Sequence, residues 1–574
     1  RVPPCNDVDA EQLHQFFDDK VAGVRSTTAD APPPSFRPSS SAASFLQFQP
    51  VSVDNVISAV RALPDKSCAL DPLPVKQLKA VVDVIGPFLT ELFNRSLSSG
   101  RVPEVFKEAY ITPRLKKSDM DPADVRSYRP ISNLSVMSKL LERLVARQLL
   151  AYLDSSGLLP RLQSAYRAKH STETAVLKVL SDILLAVDAG DLSALALLDL
   201  SAAFDTVDHN ILLRRLETSY RLGGMVLHWF RTYLVGRRQC VRFGSSASRS
   251  SSVVCGVPQG SVLGPILFLL YTADLEPLIE SHGLCPHLYA DDTQVYGSCL
   301  PSASVELQTR ISNCIDDVAA WMRSNRLQLN STKTEILWSA TSRRHHQLPQ
   351  SPLRVGTDQV KPASVIRDLG IYLDADVSMR SHVAKTVSTC FAVLRQLRSI
   401  RRSVSRPVLQ SLVTSLVLSR LDYGNATLAG IPAHLLQRLQ SVMNAGARLI
   451  FSSSRFDHVT PLLRQLHWLK APQRIEFKLA VLVYKCLHGS APSYLVDELR
   501  QLGDFEPRRR LRSASSSLAV RRTRLSTVGD RAFPVAAARL WNSLPQHVIA
   551  APSLTVFRSR LKTHLFSVCY RPTS

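Results

Sequence analysis

Leu288-Tyr289-Ala290-Asp291-Asp292-Thr293-Gln294-Val295-Tyr296 sets two adjacent carboxylates between short apolar, β-branched and aromatic flanks. The segments Pro286 to Tyr289 and Thr293 to Tyr296 suit two strands joined by a tight turn, with both aspartates at its tip. Side by side, two carboxylates repel, and a divalent cation relieves that repulsion. Asp-Asp is also a common turn dipeptide, so alone the run reads more readily as a structural turn than as a metal site. Two other stretches shift that balance.

About ninety residues upstream, the apolar run Ala194-Leu195-Ala196-Leu197-Leu198 has the length of a buried strand and ends on Asp199. A strand exit is the usual place for a site residue in an α/β layer. In the residues that follow, Asp205 or Asp208 suits a helix cap. The second stretch, Cys255-Gly256-Val257-Pro258-Gln259-Gly260-Ser261-Val262-Leu263-Gly264-Pro265, is a loop punctuated by Gly and Pro that leads into an apolar helix from Ile266 to Tyr271. Its glycines are expected to let backbone approach a ligand closely.

Leu-Asp-x-x-x-Ala-Phe-Asp at Leu198 to Asp205, Pro-Gln-Gly-Ser-x-Leu-Gly-Pro at Pro258 to Pro265 and Tyr-Ala-Asp-Asp at Tyr289 to Asp292 resemble, in order and separation, the A, B and C motifs of a known family. That family is the reverse transcriptases of non-LTR retrotransposons, of the LINE class and jockey-like or chicken-repeat-like. Tyr128-Arg129-Pro130-Ile131-Ser132-Asn133-Leu134 with Lys139-Leu140-Leu141-Glu142, Gln163-Ser164-Ala165-Tyr166-Arg167, Leu329 to Glu335 and Asp368-Leu369-Gly370-Ile371 resemble its other blocks. The similarity runs from about Val53 to Asp376.

The resemblance implies an α+β right-hand polymerase fold, with fingers and a ferredoxin-like palm sheet followed by a helical thumb and C-terminal region. It implies an RNA-directed DNA polymerase that copies retrotransposon RNA from a nicked target-DNA primer. Two magnesium ions, or manganese in their place, would be held by Asp199, Asp291, Asp292 and the backbone carbonyl of Leu200. Phe204 matches the ring that blocks a ribose 2′ hydroxyl, and Gln259 and Gly260 match the lining of the nucleotide pocket. Arg129 with Lys116 or Lys117 matches the triphosphate-binding groups, where a guanidinium offers bidentate contact. Lys333 matches a lysine proposed to protonate leaving pyrophosphate, although a surface lysine beside Glu335 is an equal reading. The partners implied are RNA template, DNA primer or nicked target DNA, and deoxynucleoside triphosphates. A group II intron or retron-type enzyme, and an inactive nucleic-acid-binding remnant of a mobile element, are the competing readings.

Composition agrees with a polyanionic partner: the 574 residues carry a formal charge of +23. The first hundred residues hold slightly more acids than bases, whereas beyond Gln501 bases outnumber acids roughly fourfold. The 10 cysteines form no Cys-x-x-Cys pair, which argues against a zinc ribbon and for a reduced protein of the nucleus and cytoplasm. No apolar run is long enough to span a bilayer, so no membrane partner is expected. The chain begins on Arg1, as a piece of a longer reading frame would, and no endonuclease is evident in its first fifty residues.

Periodicity suggests five parts. Residues 1–50 read as a flexible linker or N-terminal remnant, because Ala31 to Ser44 is rich in Pro, Ser and Ala. Residues 51–108 read as a helical extension, 109–376 as fingers and palm, and 377–500 as a thumb-like helical region in which Arg395, Arg398, Arg401, Arg402 and Arg406 accompany an apolar face. Residues 501–574 read as a basic C-terminal region whose Arg508 to Arg512 and Arg521 to Arg524 suit nucleic-acid backbone or a nuclear-localisation patch.

Overall fold

Leu192–Leu198 is apolar at all positions but Ser193, as a strand covered on both faces requires. In the computed structural model, which describes residues 8–39, 41–66, 71, 73–117, 119–501 and 517–570, it lies inside a four-stranded antiparallel sheet. Asp292–Cys299 and Glu335–Ser339 flank it, and Cys285–Tyr289 forms the far edge. Helix Thr172–Ala189 packs on three of these strands. It buries Val176, Leu180, Ile183, Leu184 and Val187, a stripe at helical spacing.

A second sheet is built on Glu108–Leu115, which pairs antiparallel with Tyr128–Asn133 and parallel with Arg238–Phe243. Against it lies helix Ala10–Thr27, started by a capping box of Asp9 and Gln12. Leu13 and Phe17 of that helix are buried with Ile111, Tyr128 and Val241. The protein is therefore mixed α and β, with helices Val53–Arg61 and Val75–Ser99 lying between the first helix and the second sheet in the chain.

The expectation of a flexible linker over residues 1–50 is corrected for the described part. Besides the helix, the Pro/Ser-rich stretch is strapped down: Phe36 lies under the guanidinium groups of Arg214 and Arg215. Tyr152 donates from its hydroxyl to the Ala43 carbonyl at 3.1 Å. Prolines leave such a chain little conformational freedom to lose, so a few contacts suffice to order it.

Beyond the sheets the chain is helical. Arg380–Ile400 packs on Ala433–Phe451, and Ala471–Leu487 packs on both Phe533–Ser543 and Leu554–Cys569. Leu394 and Leu397 are buried, while Arg395, Arg398, Arg402 and Arg406 point to solvent. The described part of residues 501–574 also contributes to the core: Phe533, Trp541 and Phe557 are buried, and Asp188 accepts the backbone N–H groups of Arg524 and Leu525. Arg508 to Arg512 lie outside the described residues. No helix among the described residues is long and apolar enough to cross a membrane.

Candidate active site

Strand register brings the motif aspartates together. Leu198 pairs with Thr293, so one more step of the antiparallel ladder sets Asp199 opposite Asp292. Tyr289 pairs with Asp292, which leaves Ala290-Asp291 as a two-residue loop. Such loops need positive φ at a central residue, and Ala290 supplies it at φ 57°, a conformation that costs a non-glycine residue roughly 1–2 kcal/mol. The exit of the central strand is fixed by Asn330, whose N–H donates to the Asp199 carbonyl at 2.9 Å.

The tip is short of positive charge. Burial raises the pKa of Asp291, and the charge of Asp199 raises it further against the opposing pull of Lys333 and Arg129. Asp292 reaches solvent, yet protein crowding its carboxylate, then the charges of Asp291 and Asp199, push its pKa up to about 6. One cation already answers this field: Lys333 Nζ lies 2.6 Å from Asp199 Oδ2. Among the described residues no three His, Cys, Asp or Glu side chains are gathered into a ready-made metal cage. Mutually repelling carboxylates that draw in an ammonium group nonetheless fit a divalent cation, which concentrates twice the charge on oxygen donors.

In front of the tip opens a cavity of about 800 Å³. Asp199, Leu200, Phe204, Asp291 and Lys333 line it from the first sheet and its loops, and Lys116, Arg129, Gln259 and Gly260 line it from the other side. Nine of the residues singled out from sequence thus meet in one space. Two do not line it. Asp292 sits beside the cavity, and Lys117 points to solvent, so of the two candidate lysines the structure selects Lys116. Lys116 Nζ donates to the Arg126 carbonyl at 2.7 Å. Burial, and then the nearby Lys20, Lys333 and Arg129, lower its pKa, which marks a pocket able to take a polyanion. Phe204 stacks on Phe268 with centroids 4.4 Å apart, which fixes its ring at the cavity wall.

The glycines of the loop admit close protein backbone: a Cβ on Gly256 would lie 2.7 Å from the Asp205 carbonyl oxygen, and one on Gly260 would lie 2.5 Å from that of Ser132. Gln259 Nε2 donates to both carboxylate oxygens of Asp205 at 2.8 Å, and its carbonyl accepts the Ser132 N–H at 2.7 Å. Asp205 is therefore no helix cap. Asp208 fills that role, accepting the N–H groups of Asn210 and Ile211. His209 Nε2 bonds the Gly256 carbonyl at 2.8 Å, a structural contact.

Residues 115–363 match the family described as reverse transcriptase (RNA-dependent DNA polymerase). This segment is similar to a reverse transcriptase domain. The chain is 29% identical over 430 residues to the Probable RNA-directed DNA polymerase from transposon X-element of Drosophila melanogaster, covering 73% of this chain and 46% of that protein. It is 30% identical over 361 residues to the Probable RNA-directed DNA polymerase from transposon BS of the same organism, covering 62% of this chain and 39% of that one. Over 346 residues it is 28% identical to the RNA-directed DNA polymerase from mobile element jockey of Drosophila funebris, covering 59% of this chain and 37% of that one. The chain thus spans under half the length of these curated relatives.

Several residues around this cavity escaped the sequence reading. Glu142, buried behind the glycine loop, accepts the N–H groups of Val262 and Leu263 at 2.6 and 3.0 Å. It thereby caps helix Leu263–Thr272, whose own N-terminal residue makes no side-chain cap. The Lys139 to Glu142 block resembled the family without showing what Glu142 does. Phe17, Lys20 and Arg25 from the first helix form a wall of the cavity, and nothing in the local pattern of residues 10–27 points across to a site so distant in sequence.

Proposed function

We propose that the chain is an RNA-directed DNA polymerase that copies retrotransposon RNA into DNA by two-metal nucleotidyl transfer, primed from a nicked target DNA. The observation that carries this reading is the convergence of Asp199, Asp291, Arg129, Lys116 and Phe204 on one cavity. In this reading the four-stranded sheet is the palm, the second sheet belongs to the fingers, and the helices after Asp376 form the thumb. The names of the relatives favour the retrotransposon class over an intron or retron-type enzyme. Retained carboxylates around an open cavity favour an enzyme over a binding remnant.

Asp199, Asp291 and the Leu200 carbonyl would hold two magnesium ions, with manganese a workable substitute and Asp292 assisting. When bound, these ions would make the primer hydroxyl more acidic and offset charge on the triphosphate. Arg129 and Lys116 grip the triphosphate, and Gln259 and Gly260 shape the pocket around the nucleotide. Phe204, held by Phe268, closes the space a 2′ hydroxyl would need. Lys333, freed from Asp199, delivers a proton to the leaving pyrophosphate. The RNA template, whose A-form duplex is held through backbone and 2′ hydroxyl contacts, runs past the thumb arginines. The protein works in the nucleus and cytoplasm.

The test supplies oligo(dT)-primed poly(rA), magnesium and dTTP to the full chain and to Asp291→Asn/Asp292→Asn. Incorporation by the native chain that vanishes in the double variant is expected. No incorporation by the native chain, or none lost in the variant, overturns the reading.

A further inference from the structure

Ala290 occupies the left-handed region immediately before Asp291, so something must hold the turn in a shape alanine disfavours. Gln163 is placed to do so. Its Oε1 accepts the Ala290 N–H at 3.0 Å, and its Nε2 reaches the Ala290 carbonyl at 3.4 Å. The same Oε1 accepts the Ala165 N–H at 3.0 Å. A carboxamide offers donor and acceptor in one plane, so it answers both polar groups of a single residue as a peptide in a ladder would.

Gln163 is itself rigidly mounted. It is 1% exposed and lies in a short extended segment that runs beside strand Cys285–Tyr289. Leu288 donates its N–H to the Leu162 carbonyl and accepts the Ser164 N–H on its own carbonyl, both at 2.9 Å. The Ser164 hydroxyl bonds His287 Nε2 at 2.9 Å and the Tyr494 hydroxyl at 2.8 Å, which ties the segment to the helical half of the chain. The segment that carries Gln163 is thus fixed by elements outside the turn.

We propose that Gln163 is a positioning residue that locks the Ala290-Asp291 turn and so sets where the Asp291 carboxylate points. It touches no substrate and works through Ala290. The inference rests on the polymerase reading for its catalytic consequence, though not for the brace itself. An aliphatic side chain of the same volume would keep the packing and lose the lock. A glutamate would keep the acceptor and repel the Ala290 carbonyl.

Steady-state incorporation of dTTP on primed poly(rA) by the full chain tests it. Gln163→Ala is expected to lower kcat on the order of a hundredfold, the cost of a misplaced reacting group, with KM for dTTP nearly unchanged. Gln163→Met, which preserves volume and so protects folding, is expected to match it. Introduced into an Ala290→Gly background, where positive φ carries no penalty, Gln163→Ala should cost far less relative to that parent. Hydrogen exchange of the peptide covering Tyr289 to Thr293 should quicken in Gln163→Met and stay constant over Val365 to Asp374. A Gln163→Met protein with native kcat, or with native exchange at the turn, overturns the brace. If the native chain incorporates nothing, the polymerase reading falls, and the exchange measurement still decides the role of Gln163.

Discussion

Asp199 and Asp205 belong to one motif, stand six residues apart and border one cavity, yet their partners differ. Asp199 faces the cavity, next to two other carboxylates, and its partner is the ammonium of Lys333, itself largely exposed. Asp205 borders the same cavity, but burial pushes its pKa up to about 6 and the Gln259 amide holds both its oxygens. The first region, the sheet tip, keeps its charges in conflict. The second, the glycine loop, ties its carboxylate to a neutral amide. The tip is thus built to draw in a cation, and the loop to hold its shape.

Substitutions at the two places should therefore separate cleanly. Asp199→Asn is expected to lower incorporation on the order of 10³-fold, the scale of losing a charge-stabilising group in phosphoryl transfer, with the denaturant midpoint near native. Gly256→Ala should do the reverse at first order. Its Cβ would meet the Asp205 carbonyl at 2.7 Å in a backbone conformation of φ 88°, costing roughly 2–4 kcal/mol in a chemical-denaturation curve. A Gly256→Ala protein of native stability, or an Asp199→Asn protein that unfolds early, would erase the contrast.

A third carboxylate sharpens the comparison from behind the tip. Asp368 is 2% exposed, accepts a hydrogen bond from Gln294, and has its pKa raised by burial to about 7. The folded state therefore binds a proton that the unfolded state releases near 3.8. Between those values stability falls as pH rises, by about 1 kcal/mol per pH unit, and it levels off above about 7. Asp368→Asn should remove that slope, so the variant gains on the native chain by about 1–3 kcal/mol at pH 8 and by almost nothing at pH 4. Thermal unfolding across pH checks the sign. The smallest effect separates two neighbours: Lys116→Ala should raise KM for dTTP about tenfold, the size of one weakened ground-state contact, while Lys117→Ala leaves it unchanged.

How much could be read in advance follows the same division. The tip was legible because strand periodicity, a two-residue turn and a strand-end aspartate are local patterns, and the resemblance of the motifs to a known family joined Asp199 to Asp291 and Asp292. Lys116 could not be told from Lys117 by sequence, since only the course of the backbone after Glu108–Leu115 decides which one turns inward. Glu142 and Gln163 act on backbone groups far along the chain and Gln259 on a distant carboxylate, and such contacts leave no periodic signature. The strap around Phe36 was misread as a linker because Pro and Ser report a lack of regular structure, which is different from a lack of contacts. Residues 517–570 are as basic as their arginines suggest, but the burial of Phe533, Trp541 and Phe557 shows in no charge pattern.

Manganese binding in the presence of oligo(dT)-primed poly(rA) and a non-hydrolysable dTTP analogue, followed by electron paramagnetic resonance, tests the central claim most directly. Asp199→Asn and Asp291→Asn, from motifs about ninety residues apart, should each abolish the same tightly bound manganese, while Asp205→Asn leaves it in place. Undiminished binding in Asp199→Asn, or loss of manganese in Asp205→Asn without loss of folded protein, would contradict a metal site shared by the tip carboxylates.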